Sequence, residues 1–302
     1  MSPREKRTTR RRSVPRSVLP ADIRVQNRVL AFFLSLSLLF LSGCTYLFFK
    51  PGKEFVSDAA TQLHAPEDVY FSSADGVMLH GWFFKARGTA QGTILVCHGN
   101  VENVSTHVKS DLWLIDAGYD LFIFDYRGYG RSEGTAEVKG VNLDAAAALE
   151  TLLARLPPGE KVIVFGKSLG GAVAVYTAAN SPHKDRVEAL VLDSAFSSYR
   201  RIAREKIADS ILGWPLQYPL SLLVNNRYSP EDNIKKLSPV PVLIIHGSED
   251  EIVPQHHSRI LYDAALEPKE LWELSLRGHV KAGTDEATRT KLLNYLGSLP
   301  GK

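Results

Sequence analysis

Short apolar segments that alternate with helical segments constrain the fold of this chain more than any other feature. Six of them follow position 90, and most are continuous apolar runs rather than alternations of apolar and polar residues. Such runs are expected of parallel strands that helices cover on both faces. The segments span residues 93–97, 121–124, 162–165, 189–192, 240–245 and 271–276. The sequence therefore predicts an α/β fold with a doubly wound, mostly parallel sheet.

Two features modify this regular pattern within a domain that we expect over residues 65–302. Residues 69–73 and 77–84 flank the turn signal Ala-Asp-Gly, which predicts an antiparallel hairpin at the start of the sheet. Between the sixth and seventh sheet strands, residues 197–230 carry many aliphatic and aromatic side chains and no strand candidate. They predict a small helical insertion after the sixth strand, whose apolar residues either pack on the core or line an apolar substrate pocket.

The first forty-odd residues have the composition of a targeting segment. Residues 1–28 hold nine Lys or Arg and two acidic residues, and an apolar run follows over residues 29–41. This run has the length of a signal-peptide core and is shorter than the ~20 residues that span a bilayer. The sequence LSGC at its end resembles the lipobox of bacterial lipoproteins, in which the cysteine is lipidated and the chain is cut before it.

These features predict a lipoprotein signal peptide over residues 1–43, a lipid on Cys44 and a linker over residues 44–64. The protein would then be held in a bacterial cell envelope. Because Thr45 rather than an aspartate follows the cysteine, the outer membrane is favoured over the inner one if the host has two membranes. The alternative is an uncleaved signal anchor, in which the apolar residues at 46–49 lengthen the run past Cys44.

Charge and cysteine content restrict the classes of partner. The 302 residues have a net charge of +3, but the basic leader supplies that excess, and the remainder is slightly acidic. We therefore expect no nucleic-acid-binding face, and we expect a monomer that acts on a small molecule. Cys44 and Cys97 are the two cysteines, and their positions predict no disulfide.

The segment from Gly166 to Gly170, with the sequence GKSLG, fits two chemistries. A phosphate-binding P-loop would need a glycine five residues before Gly166, where Lys161 stands. A nucleophile elbow needs a serine on a sharp turn between a strand and a helix, with small neighbours. A predicted strand precedes Ser168 and a predicted helix follows it, so the context favours the elbow.

Other groups that acyl transfer requires follow the ends of three further strands, where functional groups gather in such sheets. The turn at His98-Gly99-Asn100 could aim the N–H of Asn100 or Val101 at an oxyanion, with the N–H of Leu169 as its partner. We interpret His98 itself as a structural residue that holds this turn.

An acid and a base complete the set of candidates. Glu249, Asp250 and Glu251 follow the seventh predicted sheet strand, Asp193 follows the sixth as a rival acid, and His279 follows the last. A serine, then an acid, then a histidine is the chain order that accompanies this type of elbow.

Together these residues resemble the α/β-hydrolases and, within them, bacterial single-domain serine hydrolases related to the Bem46-like group. The resemblance runs from about residue 65 to 297. It rests on the motifs HGN at 98–100, DYRGYGRS at 125–132, GKSLG at 166–170, LDSAF at 192–196, HGSED at 246–250 and GH at 278–279. It implies that Ser168 is the nucleophile, Asp250 the acid and His279 the base. Lys167 departs from the family pattern, and we expect its side chain to be solvent-exposed.

The resulting hypothesis is a membrane-tethered serine hydrolase of the carboxylesterase or thioesterase type, which needs no cofactor. A serine peptidase with the same triad, or an envelope protein that kept the fold and lost catalysis, are the alternatives. Asp125 and Arg127 are interpreted as structural. His256 and His257 are interpreted as part of a plain surface helix and not as metal ligands, because adjacent helical residues point apart.

Overall fold

The computed structural model describes residues 48–56, 58–211 and 213–299 of the chain. The predicted signal peptide over residues 1–43 and the lipidation candidate Cys44 lie outside the described residues. The part from Cys44 to Lys302 forms one compact unit.

An eight-stranded sheet forms the centre of this unit, in the strand order β10-β9-β8-β7-β4-β6-β3-β2. Neighbours are parallel except at β2–β3 and β3–β6, where β3 runs antiparallel to both. A separate pair, β1 and β5, is parallel. The strands are β1 Lys50–Pro51, β2 Glu67–Ser72, β3 Met78–Phe84, β4 Gly92–Cys97, β5 Val101–Glu102, β6 Tyr119–Asp125, β7 Val162–Lys167, β8 Val187–Asp193, β9 Val242–Gly247 and β10 Lys269–Leu274. The predicted hairpin and mostly parallel sheet are confirmed.

Side chains alternate between two buried layers along each central strand. On β4, Leu95 packs into one hydrophobic cluster, whereas Ile94 and Val96 pack into the other. The same alternation on β7 places Val164 in the first layer and Phe165 in the second. Each fully buried aliphatic side chain contributes about 1.5–3 kcal/mol, which explains why these strands are apolar on both faces.

Helices cover both faces of the sheet and connect its parallel strands. They are α1 Ala59–Leu63, α2 Val104–His107, α3 Leu112–Asp116, α4 Val138–Arg155, α5 Leu169–Asn180, α6 Tyr199–Ala208, α7 Gln217–Ser221, α8 Pro230–Asn233, α9 His256–Ala264 and α10 Glu286–Gly297, with short 3-10 turns at Val108–Ser110, Lys184–Arg186, Trp214–Leu216 and Ile234–Leu237. Within the described residues, none of these helices combines the length and the apolar character needed to cross a membrane.

The segment before α1 packs on the domain, which corrects the prediction of a linker over residues 44–64. Phe48 and Phe49 are buried in the main hydrophobic cluster, and the Phe48 ring meets Tyr199 edge-on with 5.2 Å between centroids. The N–H of Lys50 donates to the carbonyl of Asn100 at 2.9 Å. The folded domain therefore begins at or before Phe48 and not at residue 65.

The predicted insertion lies between β8 and β9, and β8 is the sixth strand of the sheet in chain order. It consists of α6, a 3-10 turn and the short helix α7, followed by a return to the core at α8. Tyr199, Ile202 and Ala203 of α6 are buried. The large apolar residues that follow α6 are mostly exposed, as described below.

Candidate active site

Ser168 lies at the tip of a sharp turn between β7 and α5. Its backbone has φ +53° and ψ −120°, a strained conformation that costs a non-glycine residue about 1–3 kcal/mol. The N–H of Ser168 donates to the carbonyl oxygen of Asp193 at 2.9 Å, which holds the turn. The serine is 7% exposed. This is the strand–turn–helix context expected of a nucleophile elbow.

Two glycines allow this turn to pack closely. A Cβ atom on Gly166 would lie 2.6 Å from the carbonyl oxygen of Gly170, and one on Gly170 would lie 2.0 Å from the carbonyl oxygen of Cys97. Both separations are shorter than real Cβ contacts. The first turn of α5 can therefore approach β7 and β4 only because both positions lack a side chain.

Asp250 lies buried in the loop after β9 and accepts hydrogen bonds on both carboxylate oxygens. Its Oδ1 accepts the N–H groups of Ile252 and Val253, each at 2.9 Å. Its Oδ2 lies 2.8 Å from His279 Nδ1 and 3.3 Å from His246 Nε2. Burial alone would raise the pKa of Asp250, but the hydrogen bonds from His246, His279 and Val253 hold it well below its usual range.

The charged Asp250 decides which nitrogen of His279 carries a proton. Because the carboxylate accepts from Nδ1, the proton of the neutral imidazole resides there, and Nε2 is left as the base. Glu249 and Glu251, the neighbouring candidates for the acid, are exposed. Within the described residues the structure brings Asp250, and neither of those glutamates, to His279.

The loop that carries His279 is fastened to the end of β8. Ser194 Oγ accepts the N–H of Val280 at 3.0 Å, and Asp193 Oδ2 accepts the N–H of Ala282 at 2.9 Å. The carbonyl of Asp193 also accepts the N–H of Ser168. One short segment therefore holds both the serine turn and the histidine loop, although no hydrogen bond among the described residues joins Ser168 Oγ to His279.

Asp193 is a rival acid by its position in the sequence, whereas Ser194 was not among the predicted site residues. The structure gives Asp193 a different part, because its carboxylate accepts a backbone N–H of the histidine loop rather than the imidazole. The available signal was the position of the Asp-Ser pair directly after a predicted strand, beside the strand that leads to Ser168.

The two predicted oxyanion donors border the same cavity as Ser168. Asn100 and Leu169 both line it. Leu169 is the first residue of α5, so its N–H has no acceptor within the helix. The hydrogen bonds of the described residues leave the N–H of Asn100 unused, while its carbonyl accepts from Lys50 N–H and from Tyr129 Oη at 2.8 Å. The backbone at Asn100 is thus held through its carbonyl group, next to the free N–H.

The cavity beside Ser168 has a volume of about 300 Å³. Its walls are mainly apolar, with two lysines. The remaining lining residues are Phe48, Lys50, Phe196, Ile202, Ala203, Lys206, Ile252 and Val253. Three of these residues belong to α6, so part of the predicted insertion lines this cavity.

The expectation for Lys167 is wrong. Its side chain is 5% exposed, and Nζ forms an ion pair with the buried carboxylate of Asp111 and a hydrogen bond of 2.8 Å to Ser110 Oγ. The ammonium also lies 5.3 Å from the Phe165 ring centroid. Lys167 therefore links the strand before Ser168 to the start of α3 from inside the protein, and it is not among the residues that line the cavity beside Ser168.

The expectation that His256 and His257 point apart is also wrong. Their rings stack with 4.5 Å between centroids. His256 Nε2 lies 3.1 Å from one oxygen of Glu205, and His257 Nε2 lies 2.9 Å from the other. Because the N–H of Ser197 donates to His257 Nδ1 at 3.0 Å, His257 Nε2 carries its proton toward Glu205. Three potential metal ligands meet here, but that proton occupies the ligand atom of His257.

The residues interpreted as structural are held by polar contacts. Arg127 forms ion pairs with Asp75 and Asp144, both at 2.8 Å. Asp125 Oδ1 accepts the N–H of Val104 at 2.9 Å. The His98 ring is buried, with Nδ1 2.7 Å from the carbonyl oxygen of Gly99. Burial lowers the pKa of His98 well below its ordinary value, so the ring is neutral.

Cys97, at the end of β4, is buried and free. Burial raises the pKa of its thiol to about 12, so it carries no thiolate in neutral solution.

Comparison with known proteins identifies the fold family of this chain. A model of the α/β-hydrolase fold matches residues 92–209. The uncharacterized protein YfhR of Escherichia coli O157:H7 is 31% identical over 291 residues, which cover 92% of this chain and 96% of the relative. The uncharacterized membrane protein YNL320W of Saccharomyces cerevisiae is 30% identical over 217 residues, which cover 70% and 73% of the two chains.

Among solved structures, the Pyrococcus furiosus esterase Pf2001 is similar with a TM-score of 0.68. The match covers 84% of this chain and 99% of the esterase, at 21% sequence identity. At this identity the likeness concerns the fold.

Proposed function

This chain belongs to the α/β-hydrolase family, and we propose that it is a serine hydrolase that cleaves carboxylic esters or thioesters through an acyl-enzyme. The observation that carries the proposal is the 2.8 Å contact between Asp250 and His279 on a loop tied to Asp193, which also binds the N–H of Ser168. A base oriented by a carboxylate, on a loop tied to the segment that also holds a serine on a strained turn, supports activation of that serine hydroxyl for attack.

In the first half-reaction, Ser168 Oγ attacks the carbonyl carbon of the substrate while His279 Nε2 takes the hydroxyl proton. Asp250 stabilises the imidazolium that forms, and the N–H groups of Leu169 and Asn100 hold the oxyanion. Removal of one such donor typically lowers kcat about 10²–10³-fold. Collapse of the intermediate expels the alcohol or thiol, which receives the proton from His279, and the acyl group stays on Ser168.

In the second half-reaction, water attacks the acyl-enzyme. His279 takes a proton from this water and returns it to Ser168 Oγ as the acid leaves. Phe196, Ile202 and Val253 line the cavity beside Ser168 and offer an apolar surface to the acyl group. The cavity lies at the lower end of ligand-pocket volumes, which favours an acyl group of modest size inside it.

The nucleophile assignment is tested with a fluorophosphonate probe, which reacts covalently with an activated serine. We expect Ser168→Ala to abolish labelling, because the reacting oxygen is gone. Ser181→Ala removes a serine beyond the far end of α5 and serves as the matched control, with labelling at the wild-type level. Persistent labelling of Ser168→Ala would exclude Ser168 as the nucleophile.

We further propose that a lipid on Cys44 tethers the enzyme to a membrane. The lipobox-like sequence before Cys44 supports the lipid. The name of the yeast relative describes a membrane protein, which supports attachment to a membrane in general. An uncleaved signal anchor would include Phe48 and Phe49 in its apolar run. Both side chains are buried in the domain instead, which favours the lipid over the anchor.

The tether is tested by mass spectrometry of the mature N-terminus. We expect the chain to start at a Cys44 that carries acyl groups, and we expect Cys44→Ala to release the protein from the membrane fraction. A mature chain with an unmodified Cys44 would contradict the tether, and retention of residues 1–43 would favour the signal anchor.

A further inference from the structure

The part of the insertion after α6 exposes an unusual concentration of large apolar side chains. Trp214 and Leu222 are each 65% exposed, and Ile211 is 93% exposed. The insertion surface is defined by Ile211, Trp214, Leu216, Tyr218, Leu222 and Leu223, all exposed and all within one short stretch of sequence. Soluble proteins rarely leave large apolar groups clustered in water, and such patches mark sites of association.

Arginines from α6 border the insertion surface. Arg200, Arg201 and Arg204 line a groove of about 290 Å³ together with Tyr218 and Leu222. The Arg204 guanidinium lies 5.3 Å from the Tyr218 ring centroid. Arg201 pairs with Glu231 at 3.4 Å, whereas neither Arg200 nor Arg204 forms an ion pair in the part of the chain that the structure describes.

The described domain begins beside this surface. Phe48 and Phe49 share a groove with Leu223 and Val224. Only residues 45–47 separate Phe48 from Cys44 in the sequence. Four extended residues span at most about 14 Å, so a lipid on Cys44 would hold this side of the domain close to the bilayer.

The cavity beside Ser168 meets the same side of the molecule. Phe48 lines that cavity together with Ile202 and Lys206 of α6. The beginning of the described chain, the catalytic cavity and the insertion are therefore contiguous.

We propose that the insertion surface docks on an anionic phospholipid bilayer and turns the mouth of the Ser168 cavity toward it. Tryptophan and tyrosine favour the boundary between lipid headgroups and acyl chains, leucine and isoleucine enter the acyl region, and Arg200 and Arg204 meet lipid phosphates. The proposal rests on the proposed function for its tether at Cys44. It adds that the enzyme draws acyl substrates from the membrane.

A lipid-quenching experiment on the full chain in vesicles tests the docking. Leu222→Cys and, as the matched control, Leu266→Cys carry the same environment-sensitive fluorophore, and the vesicles contain phosphatidylcholine, phosphatidylglycerol and a nitroxide-labelled lipid. Leu266 is 55% exposed and precedes β10. It therefore lies at the amino ends of the parallel strands, whereas the site lies at their carboxyl ends. Cys97 is buried, and any labelling of Cys44 is common to both variants.

We expect the fluorophore at position 222 to be quenched at least threefold more strongly than that at position 266. Adding Arg200→Glu and Arg204→Glu to Leu222→Cys should reduce the quenching, because the anionic headgroups are then repelled. Equal quenching at both positions would overturn the proposal. So would an unquenched fluorophore at position 222 that transfers energy between copies, since the surface would then pair with a second copy of the chain.

Fluorophosphonate labelling of every variant shows that its active site is folded. Absence of labelling in the wild-type chain would overturn the proposed function, whereas strong quenching at position 222 in the same sample would still support docking. The two failures are thus distinguishable.

Discussion

Polar and apolar groups are distributed differently in two neighbouring regions. One is the carboxyl ends of the strands that carry the candidate site, which we call the sheet edge, and the other is the insertion beside them. At the sheet edge, Asp193 and Asp250 are buried, and each makes hydrogen bonds. In the insertion, Trp214 and Leu222 lie in solvent. A buried polar group without a partner costs about 1–3 kcal/mol, so the polar contacts of the sheet edge specify one geometry. An exposed apolar surface specifies no partner by itself, and its role depends on what surrounds the protein.

Lys167, at the end of the strand before Ser168, is another buried polar group that has a partner. Its buried ion pair with Asp111 joins β7 to α3, and removal of one partner from such a pair typically costs about 3–5 kcal/mol because the other charge stays buried. The sheet edge is therefore stabilised by groups that take no part in the proposed chemistry. Among the described residues, no buried ion pair of this kind holds the insertion surface.

The largest effect is expected on kcat, when an aspartate that contacts His279 is compared with one that only positions the histidine loop. Asp250→Asn should lower kcat about 10³–10⁴-fold, because the amide no longer stabilises the correct tautomer and the charged form of His279. Asp193→Ala should lower kcat about 10–100-fold, because it acts only through the histidine loop, and KM should change little. The measurement is steady-state hydrolysis of a soluble aryl ester.

Asp193→Asn provides the control for that comparison. It keeps an oxygen that can accept the N–H of Ala282, so we expect recovery of most of the activity lost in Asp193→Ala. If Asp193→Asn were as inactive as Asp250→Asn, the charge of Asp193 would matter to catalysis, and its description as a positioning residue would be wrong.

Local patterns were sufficient to predict the sheet and the elements that carry the candidate site. The continuous apolar run before Ser168 and the small residues around it act over short distances in the chain, and both recur in the structure as a strand and a tight turn. Asp250 and His279 were identified because motifs at strand ends meet at one edge of a parallel sheet. The bounds of several predicted strands shifted by up to two residues within this frame; β9, for example, begins only after Pro241, whose nitrogen cannot donate to the ladder.

Pairings between distant segments could not be read from the sequence. Lys167 was expected in solvent because its partner Asp111 lies 56 residues away. His256 and His257 converge on Glu205, which is 51 and 52 residues away. The packing of Phe48 on Tyr199 likewise depends on the folded insertion. In each case the contact joins segments that are far apart in the sequence, and only the tertiary structure brings them together.

Glu205 connects the insertion to the sheet edge. It lies on α6 of the insertion, and its carboxylate accepts from His256 and His257 at the start of α9, which follows the Asp250 loop. Burial raises the pKa of Glu205, but the hydrogen bonds from His257 and His256 outweigh this and lower it below its ordinary value of 4.5. A carboxyl group with a depressed pKa stabilises the fold above its unfolded pKa and loses that contribution as the pH falls.

Glu205→Gln should therefore lower the free energy of unfolding by about 1 kcal/mol at neutral pH, and the difference from the wild type should shrink as the pH falls below 4.5. Glutamine keeps an oxygen for His257 and removes the charge, so the variant isolates the electrostatic part. Urea unfolding across pH provides the measurement. Glu231→Gln, which breaks the longer pair with Arg201 on the same insertion, should cost less than about 0.5 kcal/mol. A pH-independent loss in Glu205→Gln would instead mean that shape and not charge joins the insertion to the catalytic edge.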